Sequence, residues 1–232
     1  MTPLDMHIRF QRIASQLGVR RPVPSEDVFY YLNLSQEEVV RGRYSGRSRV
    51  GRPVEASQEV IDDLEKILLQ NTEQSTEYLS EFSYQHYRAD RAPLPSDRLW
   101  ILSIRTESIY KRGGLEWETS NGKRVPMSGQ DPVVKDGMLR HVQSQSLYRL
   151  LVDPYNTTIV DEPLGQQSEE HAVVYTDETF IVDKVYISYL KKPRTIVRGK
   201  TSAADQTCEL PEILHKEVVQ TAVQLYINSN AE

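Results

Sequence analysis

Apolar and polar positions alternate along this chain in two different rhythms, and the change between them divides it. Near the start, Met6, Phe10, Ile13 and Leu17 recur at three- and four-residue spacing, which predicts one face of a short helix. Thr2-Pro3-Leu4-Asp5 supplies its start, with Thr2 as cap, Pro3 in the first turn and Asp5 reaching back, and Gly18 supplies its stop. A second start at Pro24-Ser25-Glu26-Asp27 leads into Val28, Leu32, Ser35 and Val39, so a second helix is expected to run to about Gly42. A third begins near Ser57, where Val60, Ile61, Leu64, Ile67 and Leu68 keep helical spacing, and is expected to end at Asn71.

Beyond Asn71 the period shortens. Arg98–Lys111 is apolar on both faces through Leu99–Leu102 and then alternates through Ile104, Thr106 and Ser108, as a strand leaving a sheet interior does. Further β-rich runs occur at 171–175, 179–182 and 184–190, the first two separated by Thr176-Asp177-Glu178, which predicts a hairpin. Gly113–Asp136, with its Ser-Asn-Gly-Lys turn, reads as loop and short hairpin, and Gly113–Gly137 as polar loop that orders on contact with a neighbour. Residues 143–152 read as a short helix, ended by Asp153-Pro154 because the residue before proline avoids helical backbone. Helical spacing returns at Leu210, Leu214, Val218, Ala222 and Leu225, with Pro211 as first helical residue. The expected fold is therefore α+β. A helical layer from the N-terminal helices and the C-terminal helix flanks a mainly antiparallel sheet or sandwich with long loops. Its parts are 1–72 helical, 73–198 β-rich, and 199–232 linker and helix packing back on the N-terminal helices.

Composition narrows the classes of function. Charged residues make up 26% of the 232 residues and the formal net charge is −5, so the chain has no bulk basic character for general nucleic-acid binding. A single cysteine excludes an internal disulfide framework and a multi-cysteine zinc site. Asp5, His7, Arg9 and Arg12 interrupt the first residues, so no signal-peptide core is expected, and no run is long enough for a membrane span. The expectation is a soluble chain made in a cytoplasm.

Candidate chemistry is sparse. Cys208 precedes the last helix and His215 falls one step off its apolar stripe, so the spacing does not hold thiol and imidazole together as a nucleophile pair. The five histidines lack metal-ligand spacing, and Asp62-Asp63 reads as a solvated pair on the outer face of the third helix. Glu116 and Glu118 share one strand face, but no second segment completes a glycosidase-like pair. The reading is of a non-enzyme, with no catalytic residues, cofactor or metal. The segment that stands out is 41–52, where Arg41, Arg43, Arg47, Arg49 and Arg52 are interleaved with glycines around Tyr44. Arginine on flexible backbone suits protein interfaces, and with a tyrosine it suits phosphates and bases. Interface, solvated loop and DNA-channel contact stay open for it. The segment is not a phosphate-cradling P-loop, since it lacks the Gly-Lys-Ser/Thr ending.

Five segments carry a resemblance. MTPLDMHIRFQRIAS (1–15), FYYLNLSQEEVVRGRYSG (29–46), LLVDPYNTT (150–158), VVYTDETFIVDKVYISYLKKPRTI (173–196) and CELPEILHKEVVQTAVQLYI (208–227) resemble, in that order, ring proteins of the tail barrel or head-tail connector of crAss-like tailed bacteriophages. The resemblance is weakest from Gly113 to Gly137, and its most specific pieces are YISYLKKP and CELPEILHKEVV. It implies a virion structural protein in the tail or neck, made in the bacterial host cytoplasm. Its implied partners are copies of itself in a closed ring matching a dodecameric portal, the portal protein, other ring and tail proteins, and passing DNA, with no membrane. An acidic remainder suits a conduit in which DNA must slide. The alternative is a nucleic-acid-binding or adaptor module that uses the Arg41–Arg52 loop.

Overall fold

The computed structural model describes residues 1–45, 62–84, 86–142, 159–177, 179–199 and 204–230. The chain divides into two compact units, 1–68 with 191–232, and 69–190. The fold is α+β, with the helices near the two ends and the strands between.

In the first unit, α1 (Pro3–Gln16), α2 (Ser25–Tyr44) and α3 (Glu212–Ser229) pack together, α3 against both others. The start of α1 is the capping box read from the sequence: Thr2 Oγ1 accepts from the Asp5 N–H at 3.1 Å, and Asp5 Oδ2 accepts from the Thr2 N–H at 3.1 Å. The buried face of α1 is Pro3, Met6, Phe10 and Ala14, and Leu17 is 58% exposed. The stripe is thus rotated from the expected line, because the chain leaves the helix at Leu17 and Gly18 takes a φ of 95°. On α3 the buried face is wider than one stripe and includes Leu214, His215, Val218, Val219, Ala222 and Val223. Two helices pack on it, so adjacent residue pairs are covered. Pro211 caps α3 from outside instead of occupying its first turn.

Side chains of α2 hold the return segment. Asn33 accepts from the Ile196 N–H at 2.6 Å and donates to the Ile196 carbonyl at 3.1 Å, and Gln36 donates to the Arg194 carbonyl at 3.3 Å. These contacts satisfy backbone groups that have no helix or ladder to join.

The third helix does not reach Asn71. After helical 62–64 the backbone tightens into a 3₁₀ turn at Glu65–Ile67 and becomes β1 (Leu68–Ser75). Leu68 and Leu69 fit helical spacing equally well as strand residues, since a short apolar run does not separate the two. The expected helix at 143–152 lies outside the described residues.

The second unit is built from two sheets and a hairpin. The remaining strands are β2 (Glu77–Tyr84), β3 (Tyr87–Pro93), β4 (Arg98–Tyr110), β5 (Trp117–Ser120), β6 (Lys123–Pro126), β7 (Val133–Met138), β8 (Arg140–His141), β9 (Leu164–Gln167), β10 (His171–Thr176) and β11 (Phe180–Lys191). One sheet has the order β1-β11-β4-β7, the other β2-β3-β10-β9-β8, and β5-β6 stand as a pair. Most of the described pairings are antiparallel, and β8 with β9 is parallel. Ala92, Ala172 and Val174 from the larger sheet share one core with Ile104, Phe180 and Ile187 from the smaller, so the two pack face to face. In β4 the expected alternation is present: Ile104, Thr106 and Ser108 are buried.

Two expectations are corrected. The runs at 171–175 and 179–182 do not form a hairpin. β10 pairs with β3 and β9, whereas β11 lies between β1 and β4 in the other sheet. Asp177 Oδ1 accepts from the Thr179 N–H at 2.8 Å, and this turn carries the chain across the core. Nor is Gly113–Gly137 a loop that orders only on contact. Asn121 and Gly122, with φ of 51° and 76°, make the tight β5–β6 turn. Val133–Met138 then pairs with β4 over six residues, from Arg105 opposite Met138 to Tyr110 opposite Val133.

Candidate interaction surfaces

The arginine segment divides in the structure. Arg41 to Tyr44 are not loop but the last turn of α2, where cations favour the negative end of the helix dipole. Arg41 is exposed, whereas Arg43 is turned inward and 7% exposed. Its Nε lies 3.2 Å from Asp63 and its Nη2 2.7 Å from Glu217 on α3. Arg43 therefore joins α2, α3 and residue 63 and is withdrawn from the expected interface or DNA contacts. Asp63 is corrected with it, since it is 8% exposed and paired instead of solvated, while Asp62 does face solvent. Tyr44 is half-buried beside this turn. Arg47, Arg49 and Arg52 lie outside the described residues.

The cysteine and histidine before and on α3 both serve the packing. Cys208 is buried, its Sγ 3.2 Å from Gln36 Oε1, and burial pushes the thiol up to about 11. His215 is 4% exposed; its Nε2–H donates to the Leu210 carbonyl at 2.8 Å, and its Nδ1 accepts from the Met1 ammonium at 3.0 Å. That arrangement holds a neutral ring, and burial pushes its pKa down. Glu116 and Glu118 are both exposed. Glu116 is fixed through its backbone, its N–H donating to Gln130 Oε1 at 3.2 Å and its carbonyl accepting from Gln130 Nε2 at 2.9 Å. Beside them an open groove of about 880 Å³ is lined by Arg88, Lys111, Gly113, Gly114, Trp117 and Met127, among others.

No known family model matches the chain, and no curated protein matches it in sequence. Among the described residues no group of three or more His, Cys, Asp or Glu side chains is arranged to hold a metal ion. Among them, too, no helix is long and apolar enough to cross a membrane.

Two features escaped the sequence. The first is a buried ion pair, Arg124 with Asp90, whose side chains are 1% and 2% exposed. Arg124 Nε donates to Asp90 Oδ1 at 3.0 Å, and Nη2 donates to Asp90 Oδ2 and to Thr176 Oγ1. The guanidinium lies 5.0 Å from the Trp117 ring centroid and 5.4 Å from that of Tyr78. Asp90 Oδ2 also accepts from the Val182 N–H at 3.3 Å. Burial pushes the Asp90 carboxyl up, against the pull of Arg124 and of that N–H. The site ties β3 and β10 of one sheet to β11 of the other and to the β5–β6 pair, so its place is structural.

The second feature is the outer edge of the smaller sheet. β7 is its last strand, and Val133, Val134 and Met138 on it are 63%, 62% and 50% exposed. The far end of β7 is covered, since the Met138 N–H donates to the Asp161 carbonyl at 2.9 Å and a Cβ on Gly137 would meet the Val160 carbonyl at 2.5 Å. The near end, Val133–Val134, has no strand on its outer side among the described residues. At the opposite edge, β1 presents Gln70, Asn71 and Glu73. Neither the edge position nor the exposure of Val133-Val134 is readable from local pattern, because both depend on which strand ends the sheet.

Proposed function

We propose that this chain is a virion structural protein of a tailed bacteriophage, many copies of which close a ring in the portal-proximal tail barrel or neck, along the path by which DNA leaves the capsid. The observation that carries the reading is the apolar edge at Val133-Val134, which has no strand on its outer side among the described residues. Soluble proteins blunt or cover their edge strands, because an unpaired strand with apolar side chains is a template for another chain. A closed ring needs a heterologous contact, one face of each subunit meeting an unlike face of the next. The smaller sheet offers unlike edges, apolar at β7 and polar at β1. The resemblance of five segments to ring proteins points the same way.

The adaptor or nucleic-acid reading draws less support. Of the arginines assigned to it, Arg43 is committed to Asp63 and Glu217. The test is the mass and shape of the purified full chain, by mass photometry and negative-stain microscopy, followed by its location in a reconstruction of the virion. A closed ring of one copy number is expected, and V133K/V134K is expected to stay folded but fail to close it. A monodisperse monomer, or a ring indifferent to V133K/V134K, counts against the reading.

A further inference from the structure

The chain is acidic overall, yet its first 23 residues carry Arg9, Arg12, Arg20 and Arg21 against Asp5 alone. Asp5 is occupied, since its carboxylate accepts from both the N–H and the hydroxyl of Thr2 in the capping box. None of the four arginines makes an ion pair or a side-chain hydrogen bond to any described residue. Arg12, Arg20 and Arg21 are exposed and Arg9 half-exposed. They border two shallow grooves on α1 and the turn after it: Arg9 and Arg12 on one, Arg20 and Arg21 on the other. Leu4 and Ile8, 40% and 49% exposed, lie on the same helix.

A concentrated charge of one sign is costly to leave unmatched, and it steers association toward the opposite sign. The pattern is that of a protein contact. Exposed Leu and Ile gain nothing from a phosphate backbone, and no aromatic ring lines either groove for a base to stack on.

The opposite charge is found on the same chain. Among the described residues of the β unit, many cations are paired internally: Arg91 with Glu77, Arg105 with Asp136, Lys123 with Asp183, Arg124 with Asp90, Lys135 with Asp161 and Lys184 with Glu73. Glu116, Glu118, Glu169 and Glu170 are exposed and make no ion pair with a described residue. The free charge of the β unit is thus mainly negative, and that of α1 positive.

We propose that the arginines of α1 and its following turn dock on the unpaired carboxylates of the β unit of a second copy, with Glu116, Glu118, Glu169 and Glu170 as candidates. This rests on the ring reading above and names a head-to-tail contact for it. Such a contact is heterologous, so repeating it either closes a ring or runs on as a filament.

The test is assembly of the full chain by sedimentation velocity, as wild type, as R9E/R12E/R20E/R21E, and as the swap E116K/E118K/E169K/E170K. All eight positions lack ion pairs with described residues, and far-ultraviolet circular dichroism checks that each variant is folded. The wild type is expected to need at least about tenfold more protein to assemble as NaCl rises from about 50 to about 500 mM, because surface charges are then screened. Each variant alone is expected to lose assembly by a similar factor, and the two mixed are expected to recover it as co-assemblies. Unchanged assembly of the arginine variant overturns the docking proposal and leaves the ring reading standing, as does a mixture that shows no recovery. A short DNA duplex bound by the wild type and released by the arginine substitutions, with assembly unaffected, makes nucleic acid the occupant and overturns it too. A wild type that stays monomeric at every salt concentration overturns both.

Discussion

Asp90→Ala and Arg124→Met remove opposite halves of one buried pair, and they are expected to cost unequal amounts. Arginine cannot shed its proton within a protein, so Asp90→Ala leaves a guanidinium 1% exposed with only Thr176 and two aromatic rings for company. Stranding a buried charge in this way costs about 3–5 kcal/mol. Arg124→Met leaves the carboxyl instead, which can take up a proton. Burial already pushes Asp90 up, and without Arg124 that push is unopposed except by the Val182 N–H. Methionine also keeps an apolar stem against Trp117 and Tyr78. The expected cost is about 1–3 kcal/mol, the desolvation penalty of an imperfectly bonded polar group.

The assay is urea denaturation followed by tryptophan fluorescence. Both tryptophans, Trp100 and Trp117, lie in the β unit, so the signal reports that unit alone. With an m-value of about 2 kcal/mol/M, the midpoint falls by roughly 2 M for Asp90→Ala and by about 1 M for Arg124→Met. The pH dependence separates the mechanisms further. In Arg124→Met the folded-state pKa of Asp90 lies above its unfolded value of about 3.9, so stability is fully present below that pH and is lost as pH rises through the folded pKa. An Arg124→Met cost equal to or above that of Asp90→Ala, with no such pH dependence, refutes the reasoning.

The helical unit answers to other perturbations. His215 has a folded pKa below its unfolded value of about 6.5, because burial and then the Met1 ammonium and Lys66 oppose its charge, against the Leu210 carbonyl and Glu212. Stability is therefore present above about pH 6.5 and is lost as pH falls toward and through the folded pKa; melts at 222 nm from pH 7.5 to 5.5 should show this slope, and His215→Gln should flatten it. Arg43→Met removes the guanidinium shared by the 8%-exposed Asp63 and by Glu217 and should lower the stability of this unit by about 3 kcal/mol, read from the same signal. Cys208, its thiol pushed up to about 11 and buried, should react with a thiol reagent only as the helical unit unfolds. Gly137→Ala places a Cβ 2.5 Å from the Val160 carbonyl, and should lower the β-unit urea midpoint where Gly129→Ala, strained only by its φ of 85°, does so less.

The range of each interaction decides whether local pattern can carry it. Capping of α1 by Thr2 and Asp5, the start of α2 near Ser25 and the span of β4 all depend on residues a few positions apart, and all were legible. The same holds for the Asn121-Gly122 turn. The partner of β10 was not legible, because Thr176-Asp177 suits a hairpin and an inter-sheet crossing equally well, and the choice is made by β3, which lies far upstream in sequence. Arg43 and Asp63 looked like surface charge for the same reason: Glu217, which completes their cluster, is 174 residues from Arg43. Arg124 sits in a polar stretch, and Asp90, 34 residues away, is flanked by Ala89 and Arg91, with no local sign that both are buried.

Unmatched charge and apolar surface are the part of the molecule that folding leaves unexplained. Inside each unit, charge is matched where it is buried: Arg43 by Asp63 and Glu217, Arg124 by Asp90. A chain so well matched inside still leaves the four arginines of α1 and its following turn and a pair of edge valines without partners among the described residues. Neither feature stabilises the single chain, since surface residues away from packing or pairing change stability by only about 0.5 kcal/mol either way. If assembly is what they serve, R9E/R12E/R20E/R21E, E116K/E118K/E169K/E170K and V133K/V134K, each made alone, should leave the melting temperature of the isolated chain nearly unchanged while weakening association. A loss of fold in those variants would instead return both features to the monomer's own stability.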